Sequence, residues 1–472
     1  MVRFLLILVC LSYGSNLSFA QSLPFDELNF IRQLRQNHPV LESGRMQIRY
    51  GEEEIRSAKG FFDPVIGAGY SRKHFDEKLY YNKSNVFVEQ PLAPLGMNLH
   101  AGFDANSGLN LNPENLSGVT GQGYAGFSLP LLQGRRMDDR RARLQVAQLY
   151  LEGQELQYQM LLNDLLLDAL QVYWEWTAAL NKLKILGEVL INNDEVLEGM
   201  KRSFEQGEIP AIDTLEAFLQ NNRIRLQYQA MELNVTLLRR KLQEFLWENP
   251  QMPSSYSNVE EFEMWENAQA YRMYAVHADR LQYKQKLFMH PIVKDINNAW
   301  QQLTVYETLE KEQLKPRLDI HANLLLNPQM SFVSQPWLND NHQYGFRFQM
   351  PLWFRTAKGR VEQIKVQQQQ NRLELNNVIN ALENQLEAAL FAVYNISEQM
   401  DLFEQMQRDS ERLYKAEIQK FSLGESSVFL VNNREIQYLQ VVLSTIDMKA
   451  MEIIQMYQFL HRMGVLYSVV DE

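Results

Sequence analysis

The sequence predicts an α+β chain built twice over, in which long helices carry a small set of strands. Three observations predict it. Landmarks recur at a spacing of about 220 residues, apolar residues repeat at coiled-coil spacing, and shorter stretches alternate between apolar and polar.

The composition is compatible with a folded protein. The chain has 472 residues, 46% hydrophobic and 22% charged, with 46 basic and 57 acidic side chains and a net charge of −11. An acidic chain with no basic block excludes a nucleic-acid binder, because phosphate contacts need clustered Lys and Arg. Residues 1–20 read as a secretory signal. Arg3 is the basic start, Phe4 to Leu11 the apolar core, and Ser18-Phe19-Ala20 the small-x-small site, with cleavage expected after Ala20. The apolar run is short for a membrane anchor, which needs roughly 20 residues. Lipidation of Cys10 is the other alternative, and the bulky Ile7-Leu8-Val9 before it argues against it. Cys10 is the one cysteine, so the exported chain would use no disulfide. Beyond the signal no stretch of 18 or more apolar residues occurs. A soluble exported protein and a membrane β-barrel both remain.

The duplication rests on two landmark pairs. Phe204-Glu205-Gln206-Gly207-Glu208 matches Phe421-Ser422-Leu423-Gly424-Glu425, with glycines 424 − 207 = 217 apart. Phe127-Ser128-Leu129-Pro130-Leu131-Leu132 matches Phe348-Gln349-Met350-Pro351-Leu352-Trp353, with prolines 351 − 130 = 221 apart. The first repeat spans 21–266 and the second 267–472. In the first, helix covers 25–59 and stops at Gly60-Phe61-Phe62-Asp63-Pro64. A strand region follows over 65–131, then long helices over 133–248, about 133–205 and 212–248, and a linker at Asn249-Pro250 and Pro253-Ser254-Ser255. In the second, a helix precedes Pro316, strands cover 316–354, and helices cover 356–463, about 356–421 and 427–463.

The helices carry narrow apolar stripes. Leu161, Leu165, Ala169, Val172 and Trp176 form one, and Leu375, Val378, Leu382, Leu386, Ala389, Val393 and Ile396 the other. Steps of three and four are the coiled-coil pattern. One such helix would suit an ordinary bundle, but a rod of 73 residues is about 110 Å long and fits no compact domain. The strands alternate: Leu318, Ile320, Ala322, Leu324 and Leu326 against Asp319, His321, Asn323, Leu325 and Asn327. Tyr344, Phe346, Phe348 and Met350 alternate with Gly345, Arg347 and Gln349, and Ala125, Phe127 and Leu129 with Tyr124, Gly126 and Ser128. One face is dry and the other polar, as in a soluble sandwich or a membrane barrel. Trp337, Tyr344, Trp353 and Phe354 flank the second hairpin as interfacial aromatics would.

Local motifs add a resemblance. Asn37-His38-Pro39-Val40-Leu41 is followed by Ile55-Arg56-Ser57-Ala58-Lys59-Gly60 and Phe62-Asp63-Pro64. Leu129 to Arg135 forms a second motif, and Lys420-Phe421-Ser422-Leu423-Gly424-Glu425-Ser426-Ser427-Val428-Phe429 the sharpest. In this order, with the duplication, the chain resembles the TolC-like outer-membrane efflux protein family (outer membrane factors) over nearly all its length. The resemblance implies a homotrimer. Each chain would lend four strands to a twelve-stranded barrel in outer-membrane lipid, and the helices would form a periplasmic α-barrel tunnel. It implies a passive exit duct for a tripartite efflux or type I secretion system, working with a periplasmic adaptor (membrane fusion) protein and an inner-membrane pump. Closure by several copies is also demanded by the strands themselves, since lipid tolerates no open sheet edge.

The implied site residues follow. Asp319, His321, Asn323, Arg347 and Gln349 would face the barrel lumen, opposite Leu318, Ile320, Ala322, Leu324, Phe346 and Phe348. Gly207 and Gly424 would make the turns at the tunnel tip. Family members often place aspartates just after the second turn, where this chain has Leu430 and Asn433, with Asp213 at the equivalent place in the first repeat. The constriction would then be apolar at Leu430 and Asn433, or acidic at Asp213. The first strand region holds extra strand-like pieces, 85–89 and 97–103, that fit an extended hairpin, extra strands or a loop insertion.

No enzyme is expected. The sequence has no Gly-rich phosphate loop, Gly-x-Ser-x-Gly or His-Glu-x-x-His, and no cofactor or metal site is expected. Asp164 and Asp168 read as a solvated face, and the 19 methionines as packing residues. The alternative from another class is a soluble periplasmic coiled-coil scaffold or adaptor, which leaves the aromatic-flanked hairpin without a purpose.

Overall fold

The computed structural model describes residues 26–108, 111–247, 287–330 and 341–469. The signal with Cys10, the linker at 249–255 and Trp337 lie outside the described residues. The fold is α+β. Its elements are helices α1 (Glu27–Asn37) and α2 (Pro39–Gly60), strands β1 (Val65–Phe75), β2 (Lys78–Pro91), β3 (Asn98–Ser107) and β4 (Gln122–Pro130), then helices α3 (Asp139–Glu205) and α4 (Ala211–Leu246). After these come α5 (Pro291–Glu312), β5 (Arg317–Leu326), β6 (His342–Gln349), α6 (Arg355–Ser422), α7 (Val428–Arg462) and the short α8 (Leu466–Val469).

The first helical stretch is two helices rather than one. Pro39 has no N–H to donate and pushes His38 out of the helical region, to φ −71° and ψ 122°. The His38 ring then caps α2, its Nδ1 accepting from the Val40 N–H at 3.4 Å. His290-Pro291 repeats the device, Nδ1 accepting from the Ile292 N–H at 3.3 Å. Helix α3 begins at Asp139 rather than at 133, because Gly134 turns the chain at φ 82° and Asp138 caps the helix by accepting from the Arg141 N–H at 3.0 Å. The Arg141 side chain also donates to the Gly134 carbonyl at 2.5 Å, which ties the strand exit to the helix start.

Helices α3 and α6 have 67 and 68 residues, each about 100 Å long by helix rise. Leu382, Leu386, Val393 and Ile396 of the α6 stripe are buried. Helix α3 is buried on a much wider front than its narrow stripe suggests. Leu162, Leu166, Leu170, Tyr173 and Trp174 join Ala169 and Trp176 in the main core. The reason is the number of neighbours, since α2, α4, α5 and α7 all pack on α3. Partners of that core are Phe30, Ile31 and Leu34 of α1, Leu238, Leu242 and Leu246 of α4, and Ile453, Ile454, Tyr457 and Leu460 of α7.

The six strands form one antiparallel sheet in the order β1-β2-β3-β4-β5-β6. Among the described residues the chain has six strands, two more than the four that the resemblance implies and in line with the extra strands that the sequence allowed. The pieces at 85–89 and, apart from Met97, 97–103 are strands, embedded in β2 and β3. The extra pair is datable to one place in the repeat. The His-Pro caps are 290 − 38 = 252 apart, and so are the starts of β5 and β1, 317 − 65 = 252. Past the sheet the offset is 221. The first repeat therefore gains 252 − 221 = 31 residues inside its strand region, within one residue of the 107 − 78 + 1 = 30 that span β2, β3 and their turn.

Candidate functional site

Register decides which side chains share a sheet face. Ile66 pairs with Val88 and Ala68 with Val86. Val88 pairs with Ala101 and Val86 with Phe103. Leu99 meets Phe127 and Ala101 meets Ala125, then Phe127 meets Ala322 and Leu129 meets Ile320. Ile320 meets Phe346 and Leu318 meets Phe348. Because side chains alternate, all of these point to one side of all six strands. That face is open: Ile66 is 75% exposed, Val86 52% and Phe346 74%. The sequence-predicted apolar residues Leu318, Ile320, Ala322, Leu324, Phe346 and Phe348 all belong to it.

The opposite face is polar. It carries Asn85 and Lys83 of β2, His100, Asp104 and Asn106 of β3, and His321 and Asn323 of β5, with Arg347 and Gln349 of β6. His100 Nε2 and Asn323 Oδ1 lie 2.6 Å apart, and Asn323 Nδ2 donates to Gln343 Oε1 at 3.1 Å. His321 leans over Gly345, where a Cβ would come within 2.6 Å of its ring. Asp319 shares the polar face but is buried, at the end of β5 nearest the helices, held by Arg317 Nε at 2.6 Å.

At the far end of the helices, two turns match. Gly207 and Gly424 have φ of 73° and 76°. Glu208 N–H donates to the Ser203 carbonyl at 2.9 Å, and Glu425 N–H to the Lys420 carbonyl at 2.8 Å. These are six-to-one bonds that end a helix through a left-handed residue. Ser427 opens α7, accepting from the Leu430 N–H. Leu430 is 44% exposed, and Asn433 one turn on is also exposed, so the described helices leave that face of α7 uncovered. Asp213, in the first turn of α4, is half-buried.

A polar clamp binds the two helical hairpins near these turns. Glu435 of α7 accepts from Asn193 of α3 at 3.2 Å, from Gln220 of α4 at 3.0 Å and from the Tyr414 hydroxyl of α6 at 3.3 Å. Gln220 follows Gly207 closely and Glu435 follows Gly424 closely, so both turns lie at the same end. Burial, and then the Glu435 charge, push the Tyr414 hydroxyl above its ordinary pKa, so it stays a donor.

No family model matches the chain, and no curated protein matches it in sequence. Solved structures do match in fold. The Campylobacter jejuni CmeC outer membrane channel aligns with a TM-score of 0.60 at 13% identity, over 93% of this chain and 85% of the other. The Vibrio cholerae outer membrane protein VceC aligns at 0.61 and 12%, over 93% and 96%. The Neisseria gonorrhoeae MtrE outer membrane channel, in its open state, aligns at 0.60 and 11%, over 93% and 88%. The chain has the TolC-like outer-membrane-channel fold.

Within this fold the site residues fall into two groups at opposite ends of α3 and α6. The sheet group is Asp319, His321, Asn323, Arg347 and Gln349; the turn group is Gly207, Asp213, Gly424, Leu430 and Asn433. Asp164 is exposed, and its Oδ1 lies 2.6 Å from His461 Nε2. Among the described residues no cluster of His, Cys, Asp and Glu suits a metal ion, and no helix is long and apolar enough to cross a membrane. Sequence reasoning missed Glu435, since a lone glutamate on a helix carries no pattern. It also missed the second His-Pro cap, for which the signal was present in plain sight at the start of α5.

A buried carboxyl was missed as well. Glu27 sits between α1, α3 and α7, accepting from the Tyr457 hydroxyl and from Trp174 Nε1 at 3.4 Å. Burial raises its pKa to about 7, against the lowering effect of those two donors.

Proposed function

We propose that the chain is the passive outer-membrane exit duct of a tripartite efflux or type I secretion system, exported by a signal cleaved after Ala20. Three copies close the barrel in outer-membrane lipid and continue it as a periplasmic tunnel. A periplasmic adaptor and an inner-membrane pump engage the tunnel and drive transport. The observation that carries this reading is the apolar face shared by all six strands. A soluble sandwich would cover that face with a second layer, whereas here its side chains stand open on a sheet mounted at the end of helices about 100 Å long. The polar face, with its His100–Asn323–Gln343 chain, then lines the lumen together with Asp319, His321, Arg347 and Gln349. Asp319 stands at the lower rim, where barrel meets tunnel.

The constriction belongs to the turn group. In a ring of three copies, the uncovered face bearing Leu430 and Asn433 points at the axis, as a leucine ring beside an amide ring. The soluble-scaffold alternative is separated by extraction and conductance together. The full chain, expressed with its leader, should stay in the detergent-soluble envelope and should conduct ions when the purified protein is added to a planar bilayer. Release with the periplasmic fraction, and silence in the bilayer, would contradict the duct reading.

A further inference from the structure

We infer that the ring of three copies is an eighteen-stranded barrel, closed by pairing the β6 edge of each copy with the β1 edge of the next. This rests on the trimeric duct reading and goes beyond it, because the fold resemblance implies only twelve strands. The inserted strands β2 and β3 do not sit apart from the sheet. They pair along their length with β1 and β4, from Ile66↔Val88 to Leu99↔Phe127. Their side chains keep the alternation of the rest, Val86, Ala101 and Phe103 on the apolar face and Asn85, His100 and Asp104 on the polar one.

A side-chain contact fastens the insert to the second repeat. His100 of β3 reaches Asn323 of β5 across β4, at 2.6 Å. The strand residue between them is Gly126, which pairs with both. A Cβ at Gly126 would lie 2.1 Å from Asn323 Oδ1. Glycine is what lets the two side chains meet over the intervening strand. An insert destined for a loop outside the barrel would have no use for that gap.

The edges also fit. Six is even, so β1 leaves the helices while β6 returns to them. The two outer edges are antiparallel and can join copy to copy with the same hydrogen-bond pattern as inside each copy. Among the described residues nothing pairs with the outer edge of β1 or β6, and lipid cannot satisfy those backbone groups. The occupant of each edge is therefore a second copy of this chain. With strands about 4.8 Å apart and tilted about 40°, eighteen strands close at a backbone diameter of about 36 Å, against about 24 Å for twelve. The mouth would have about twice the cross-section of a twelve-stranded one and would admit solutes that the narrower ring excludes.

The test is electron cryomicroscopy of the detergent-extracted full chain, with disulfide mapping as a second measurement. Eighteen strands in a ring of three are expected. A disulfide between copies is expected for Ala68→Cys paired with a cysteine at Tyr344, Phe346 or Phe348, and its absence from all three pairs would overturn the seam. Ala68→Cys with Ala125→Cys discriminates the barrel size, since β1 and β4 become neighbours only if residues 78–107 leave the ring. A disulfide there, or a twelve-stranded image, would overturn the inference and leave the duct reading standing. A stable monomer would overturn both.

Discussion

Ile320 and Asn323 stand on one strand and on opposite faces of the sheet. If the apolar face meets lipid, an arginine at Ile320 near the midplane should cost about 2–4 kcal/mol and reduce assembly, whereas Asn323→Arg should assemble and shift ion selectivity. Equal yields of both variants in the membrane fraction would contradict the facing. Alternation made these residues legible in the sequence, because period two forces the split whatever the surroundings. Glu27 was illegible, because nothing near it in sequence announces Tyr457 and Trp174. Its proton should be visible in stability. The folded-state pKa of about 7 lies above the ordinary 4.5, so the folded chain holds a proton that the unfolded chain releases. That contribution is complete below pH 4.5 and declines as pH rises to about 7, by about 3 kcal/mol in all. Glu27→Gln, still an acceptor for both donors, should flatten this part of the profile and raise the unfolding midpoint at pH 8. A midpoint that falls at pH 8 would show that the carboxylate is the favoured form.

At the scale of elements, the helices were the more legible part. Glycine turns and steps of three and four set the order of the long helices, and the ends moved by a few residues where a cap decided the matter, as at Asp138. Pro39 broke what reads as one helix, because the periodicity of apolar residues runs on through a residue that the backbone cannot accommodate. The strand count was the least legible, since the apolar part of β2 is short and its outer half, Lys78 to Asn85, is polar or aromatic except for Leu79. Two predictions belong to the helices. Glu435→Ala should leave Asn193, Gln220 and Tyr414 without their shared acceptor and lower the unfolding midpoint, at a cost on the order of 1–3 kcal/mol; no change would mean that water replaces the carboxylate. Leu430→Ser should raise resting conductance in a bilayer strongly, with little effect of divalent cations on the unmodified channel, because an apolar ring closes by dewetting. Strong divalent block of the unmodified channel would move the gate to Asp213.

At the scale of the whole molecule, the proposed channel depends on copies. Among the described residues one chain offers a sheet with two unpaired edges, an uncovered apolar face and long helices that enclose no pore by themselves. No single element would contain the proposed pore, which is why the sequence describes the strands and helices in detail and a channel only through repetition and resemblance. Loss of the apolar face, the edges or the helical turns should each act through assembly before it acts on transport. The most direct test is the native mass of the full-length protein after gentle detergent extraction from the envelope. Three chains per particle, persisting on dilution, is the predicted result. A particle of one chain, stable in detergent and intact in its helices, would contradict the claim that this fold is one third of a channel.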